Sequence, residues 1–230
     1  MTASAPILVF DLDGTLADTA PDLVATLNTL LLRENLPRLK IETARPFVGA
    51  GARGLLERGF AAAGATLREP GASALLGDFL QLYEAHIADE TRLFPGAERS
   101  LDLFLDAGFR LAVCTNKTER LAQLLLERLG VADRFNAICG RETFAHMKPD
   151  GRALLSTIER ADGDPARAVM VGDSRTDVAA ARNAGAPVVA VDFGYSDPPV
   201  ATFAPDRLIS HFDELWDAAN GLLRERRQAG

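Results

Sequence analysis

Ile7-Leu8-Val9-Phe10-Asp11-Leu12-Asp13-Gly14-Thr15-Leu16 places two carboxylates at the end of an apolar run of strand length. A run of this composition suits a sheet covered on both faces, where ionised groups are costly, so acids at its end point to a site rather than a core. Side chains two apart on an extended segment share a face, so Asp11 and Asp13 address one pocket while Leu12 packs behind them. Gly14 permits a sharp exit. The competing local reading is a strand end closed by turn-forming Asp and Gly, and the rest of the chain must choose between the two.

Outward from this stretch, apolar runs recur at 110–115, 137–139, 168–172 and 188–191, with a weaker one at 207–209. Helical patterns over 97–107, 118–129, 151–161 and 176–184 separate them. The alternation predicts an α/β fold, a doubly wound, parallel, Rossmann-like sheet with ligands at the carboxyl ends of its strands. Residues 17 to 92 break the rhythm with amphipathic patterns at 21–34, 43–63 and 72–89 and no convincing strand. Leu23, Leu27, Leu30 and Leu31 mark one face of the first. The predicted organisation is an α/β catalytic core from 1–16 and 93–230, interrupted by an inserted α-helical cap subdomain, 17–92, lying over the site. Hinges fall near Ala17 to Pro21 and Arg92 to Gly96. An amphipathic helix is expected from near Phe212, with the charged segment 221–230 fraying after it.

The chain of 230 residues can bury a substantial core without disulfides. Cys114 and Cys139 sit in apolar segments without CxxC spacing, which predicts buried thiols in a reducing cytoplasm. A net charge of −7 argues against nucleic-acid or membrane-surface partners. No apolar run approaches a membrane span and the N-terminus lacks a signal-peptide pattern, so the expectation is a cytoplasmic protein, monomer or homodimer.

The second acidic cluster, Gly172-Asp173-Ser174-Arg175-Thr176-Asp177, follows the strand pattern 168–171, so its acids belong on the same sheet edge as Asp11 and Asp13. Four converging carboxylates repel unless a cation sits among them, and hard oxygen donors favour Mg²⁺. Asp177 also suits a helix cap, a role that leaves metal binding open. Cys114-Thr115-Asn116-Lys117 closes another strand pattern ahead of a helix. There the Thr115 hydroxyl and the Asn116 backbone N–H are placed to meet a phosphate at a helix N-terminus, or simply to cap it. Lys148-Pro149 precedes the next helix, where the amine can neutralise a phosphate and a nucleophilic carboxylate together.

Taken in order, Asp11 to Leu16, Thr115, Lys148 and Gly172-Asp173 through Asp177 resemble the four motifs of the haloacid dehalogenase superfamily, in its phosphatase branch with a helical cap inserted after the first strand. The resemblance covers nearly the whole chain. It implies that Asp11 is a nucleophile forming an aspartyl-phosphate, and that Asp13 is general acid and then base. It also implies that the Asp11 carboxylate, the Asp13 main-chain carbonyl and Asp173 hold Mg²⁺. A backbone ligand at Asp13 would leave its side chain free to move a proton, while metal, Lys148, Thr115 and amides spread the phosphoryl charge.

Within that superfamily, dehalogenases lack an acid at the position of Asp13 and phosphonate-cleaving members carry a small residue there, so hydrolysis of a phosphate monoester is the expected activity. Sugar-phosphate mutases of the β-phosphoglucomutase kind are the alternative, but they use particular cap His and Lys residues, and the insertion offers only His86 and Lys40. A non-catalytic binding protein on the same fold is a further alternative. Phe47-Val48-Gly49-Ala50-Gly51-Ala52-Arg53 resembles the substrate-facing loop of phosphoglycolate phosphatases, which makes a small phosphorylated metabolite such as 2-phosphoglycolate the expected partner. Gly49 and Gly51 would then expose N–H groups to its carboxylate with Arg53 assisting, against the plainer reading of a helix-start turn and a solvated Arg. One departure is Gly151, where this branch commonly carries proline, which puts the local helix start in doubt.

Overall fold

The structure is a computed structural model and describes residues 5–229. Its strands are β1 (Ala5–Phe10), β2 (Ala17–Asp18), β3 (Arg92–Leu93), β4 (Arg110–Cys114), β5 (Ala137–Cys139), β6 (Gly163–Gly172), β7 (Val188–Val191) and β8 (Arg207–Ile209). Its helices are α1 (Ala20–Arg33), α2 (Ile41–Val48), α3 (Gly51–Ala62), α4 (Gly71–Ala85), α5 (Ala97–Asp106), α6 (Glu119–Arg128), α7 (Gly151–Arg160), α8 (Arg175–Ala184) and α9 (Leu215–Ala229). The chain divides into two compact units, Met1–Ala17 with Leu93–Gly230, and Asp18–Arg92.

The first unit is a six-stranded sheet in the order β5-β4-β1-β6-β7-β8, with every neighbouring pair parallel. From β1 the chain builds outward through β4 and β5, then returns to the other side of β1 with β6. The strand order therefore reverses beside β1, and the crevice at its carboxyl end is the place where such sheets bind ligands. Phe10 is level with Val113 on one side and Val171 on the other, so Asp11, Cys114 and Gly172 leave the sheet at one height. Ile7 through Phe10 are fully buried, as expected of a central strand covered on both faces. Ile7, Val9 and Met170 pack with Leu154 and Ile158 of α7 and Val178 and Ala181 of α8. Elsewhere in the unit, Phe104 and Phe109 gather around Trp216 at the junction of α5 and α9. Where the insertion leaves and re-enters, the Phe94 N–H donates to the Leu16 carbonyl at 3.0 Å.

The second unit is helical. Leu23, Leu27, Leu30 and Leu31 of α1 are buried as their spacing predicts, and α1 packs on α2, α3 and α4. Asp22, in the first turn of α1, accepts from the Glu90 and Thr91 N–H groups and the Thr91 hydroxyl, tying the end of the unit to its beginning.

Four details depart from the sequence reading. The single pattern 43–63 is two helices, because Gly51 takes a left-handed φ of +73° that ends the helical path after α2. Two-residue strands, β2 and β3, pair where the insertion begins and ends. The C-terminal segment does not fray at Gly221, since α9 continues through Ala229 and buries Leu222 and Leu223. The start of α7 is intact at Gly151, with Asp150 capping it by accepting from the Arg152 N–H. A Cβ at Gly151 would lie 2.5 Å from the Ala184 nitrogen, so the absence of a side chain is what lets α7 meet the end of α8.

Candidate active site

Three carboxylates, from Asp11, Asp173 and Asp177, meet at the carboxyl edge with ligand atoms within 4.8 Å of one another. Asp11 follows β1 and keeps its Oδ1 in place through the Leu12 N–H at 2.7 Å and Lys148 Nζ at 3.0 Å. Its Oδ2 takes no hydrogen bond among the described residues. Lys148 is buried and also donates to Asp177 Oδ1 at 2.6 Å, so one ammonium bridges two acids. Asp173 is held at Oδ1 by the Thr15 hydroxyl and at Oδ2 by the Tyr195 N–H, at 3.1 and 2.7 Å.

Burial sets the electrostatics. It pushes the Asp11 carboxyl up to about 6, with Lys148 pulling back and Asp177 adding repulsion. It pushes Asp173 further, to about 8, where Asp177 and Asp11 reinforce burial and the Tyr195 and Thr15 hydrogen bonds oppose it. Burial alone would lower the Lys148 ammonium, but Asp11 and Asp177 outweigh it and hold it above its ordinary value. Three buried acids against one buried lysine leave an excess of negative charge that a hard cation relieves, and a donor set made only of oxygens fits Mg²⁺.

The expected convergence of four carboxylates is corrected to three. The Asp13 carboxylate pairs with Lys117 Nζ, at 2.8 and 3.2 Å from its two oxygens. Asp177 takes the helix-cap role and joins the acidic cluster through a lysine contact the sequence did not suggest. With Ser174 it forms the capping box of α8, its Oδ2 accepting from the Ser174 N–H, while Oδ1 receives Lys148. Thr115 lies buried one residue beyond the level of Asp11, its Oγ1 accepting from the Lys117 N–H at 3.2 Å. Asn116 ties β4 to the third segment by donating its side chain to the Lys148 carbonyl at 3.1 Å. The expected position at a helix N-terminus is corrected: α6 begins at Glu119, whose N–H already goes to the Glu142 carboxylate, and Thr115 and Asn116 lie in the loop ahead of it. Cys114 and Cys139 are free and buried, and burial raises both thiols, Cys114 to about 11.

In the helical unit, Gly49 closes α2 and Gly51 opens α3, rather than both opening one helix. Arg53 is exposed and pairs with Glu57 and Glu69 at 2.9 and 2.7 Å. His86 ends α4 on the surface, 2.8 Å from Asp89.

Three contributors escaped the sequence reading. Thr15 and Lys117 stood inside the quoted motifs without a role. The Tyr195 N–H reaches Asp173 because Gly194 lets that loop approach: a Cβ on Gly194 would lie 2.3 Å from the Asp173 Cβ. A glycine shortly after the buried run 188–191 was the available signal.

A parallel sheet with its strand order reversing at β1, an acid at the end of that strand and a buried lysine between two carboxylates define a phosphoryl-transfer architecture, and the chain belongs to the haloacid dehalogenase-like hydrolases, whose family model matches residues 8–191. It is an enzyme of the phosphatase kind, similar to phosphoglycolate phosphatases. That of Mesorhizobium japonicum is 49% identical over 92% of this chain and 93% of its own length. That of Caulobacter vibrioides is 47% identical over 94% and 91%. The crystal structure of a predicted phosphoglycolate phosphatase from Haemophilus somnus superposes with a TM-score of 0.85 at 28% identity, covering 94% of this chain and 99% of that one. Among the described residues, no helix is long and apolar enough to cross a membrane.

Proposed function

We propose that the protein is a Mg²⁺-dependent phosphomonoester hydrolase that works through an aspartyl-phosphate on Asp11, acting on 2-phosphoglycolate or a similar small organic phosphate. The observation that carries this reading is the Asp11 carboxylate itself, locked at Oδ1 by the Leu12 N–H and Lys148 while Oδ2 stays open at the switch point of the sheet. That oxygen attacks phosphorus as the bond to the ester oxygen breaks. Asp13 gives the departing alkoxide a proton and then takes one from the water that hydrolyses the aspartyl-phosphate.

Asp11, Asp173 and the Asp13 main-chain carbonyl would hold Mg²⁺, with Asp177 acting beside them through Lys148 and water because its oxygens are already engaged. When bound, the ion neutralises phosphoryl oxygens and orients them for in-line displacement. Lys148 adds positive charge next to the nucleophile, and Thr115 with the amides near Asn116 grips the remaining phosphate oxygens. The division of labour is that residues 1–16 and 93–230 carry out the chemistry and 17–92 acts as a cap selecting the substrate through Gly49, Gly51 and Arg53, boundaries that differ from the two compact units only in the placement of Ala17. Similarity to phosphoglycolate phosphatases along more than nine-tenths of the chain supports the substrate class.

The test is phosphate release from p-nitrophenyl phosphate with Mg²⁺ and with chelator, followed by a comparison of kcat/KM across 2-phosphoglycolate, sugar phosphates, nucleoside monophosphates and pyrophosphate. Expected results are metal-dependent turnover, its loss in Asp11→Asn, and a preference for 2-phosphoglycolate. Undiminished turnover in Asp11→Asn overturns the mechanism, and a ranking of 2-phosphoglycolate among the weakest overturns the substrate.

A further inference from the structure

Lys117 has no part in the phosphoryl grip just described, yet its ammonium touches both oxygens of Asp13. Its side chain is 6% exposed, against 23% for Asp13, so the lysine is the fixed member of the pair. The fixing is visible in its backbone. The Lys117 N–H donates to Thr115 Oγ1, its carbonyl accepts from the Arg141 N–H at 3.0 Å, and the adjacent Asn116 side chain is bound to the Lys148 carbonyl.

Asp13, by contrast, lies past the end of β1, in a turn closed by the Gly14 N–H on the Ala17 carbonyl. Among the described residues its carboxylate takes hydrogen bonds only from Lys117. A freely rotating carboxylate is a poor proton carrier because few of its orientations point an oxygen at the reacting ester, and orientation of a reacting group is worth large rate factors. The three donors of an ammonium meeting both oxygens remove that freedom.

We propose that Lys117 is a positioning residue for Asp13, holding the plane of its carboxyl so that one oxygen faces the ester oxygen of the substrate. The proposal rests on the reading of Asp13 as the proton carrier. In the step concerned, the Asp11 Oδ2–P bond forms, the P–O ester bond breaks, and the proton on Asp13 moves to the ester oxygen to release an alcohol. An alkyl ester needs that proton. A p-nitrophenyl ester does not, because nitrophenolate leaves unaided.

The experiment measures kcat/KM, which covers the steps through phosphoryl transfer to Asp11, on the full chain with Mg²⁺. The substrates are p-nitrophenyl phosphate, 2-phosphoglycolate and ethyl phosphate, the last an alkyl ester without a carboxylate. Lys117→Gln should lower the alkyl-to-aryl ratio about tenfold or more for both alkyl esters, within the range that acid–base catalysis supplies. Lys117→Arg should restore most of that ratio, and Asp13→Asn should lower it further. Lys117→Met provides the same comparison where the glutamine variant does not fold, with circular dichroism as the check.

An equal loss on all three substrates marks a merely structural lysine and overturns the proposal. A loss confined to 2-phosphoglycolate makes Lys117 a partner of the substrate carboxylate and also overturns it. If Asp13→Asn shifts the ratio and the Lys117 variants do not, the positioning role alone fails. If Asp13→Asn leaves the ratio unchanged, the proton-carrier reading fails with it.

Discussion

At the carboxyl edge of the sheet, Lys148 sits between Asp11 and Asp177 with the three side chains 1, 12 and 0% exposed. In the helical unit Arg53 sits between Glu57 and Glu69 with all three about half exposed. Both are one cation between two acids, but water sets their worth. On the surface the pairs are screened and close to neutral for stability. At the sheet edge the charges have left water, so each persists only while its partner remains, and the fold carries a cost there that a purely structural core would avoid. Charges kept in that state mark chemistry.

The strongest way to break this contrast is to remove the buried cation. Lys148→Met leaves Asp11 and Asp177 facing each other unpaired, and should cost about 3–5 kcal/mol of stability along with turnover. Urea unfolding at neutral pH without metal checks the first part, and adding Asp177→Asn should recover some of the loss.

Next in size is the effect of metal and pH. The folded state raises the Asp11 and Asp173 carboxyls from 3.8 to about 6 and about 8. Stability from their protonated forms is therefore complete below the unfolded value and lost as pH rises through the folded values. The Tm of metal-free protein should fall across this window, from about pH 4 to about pH 8. Mg²⁺ competes with those protons, so it should flatten the decline and add about 2.7 kcal/mol at a hundredfold excess over Kd. Superimposable pH profiles with and without Mg²⁺ would count against a cation site.

Two glycines sharpen the contrast in packing. A Cβ at Gly151 would meet helix backbone at 2.5 Å, whereas one at Gly59 would meet the end of the Leu27 side chain at 2.6 Å. Backbone does not yield and a side-chain tip does. Gly151→Ala should therefore cost about 1–3 kcal/mol. Gly59→Ala should cost less than about 1 kcal/mol, since alanine gains in helix propensity. Equal costs by urea unfolding would remove the distinction.

Arg53→Ala should produce the smallest effect. Its Tm should not move measurably. If the arginine meets the substrate carboxylate, KM should rise several-fold for 2-phosphoglycolate and not for ethyl phosphate, which kinetics on the two esters resolves.

The strands and their acids were legible because they are written in short range. The run 7–10 ending in Asp11, and 168–171 ending near Asp173, each announce a buried strand and an acid at its edge within a few residues. The helices of the insertion were legible from their periodicity, but the break at Gly51 was not, because an amphipathic pattern continues across a turn that only the backbone angle reveals. The Asp13 assignment shows the same limit from the other side. As a strand-end acid it reads like Asp11, and nothing local separates a carboxylate that joins the cluster from one that turns to Lys117.

By itself, then, the sequence determined the parallel α/β architecture, the helical insertion and the acids at the strand ends, since each follows from hydrophobic period and local turn chemistry. Tertiary structure alone decided which cation holds which acid. Lys117 is 104 positions from Asp13, Lys148 is 29 from Asp177, and Tyr195 is 22 from Asp173. Those pairings depend on strand order, register and the close approach at Gly194, and these are set when the sheet assembles.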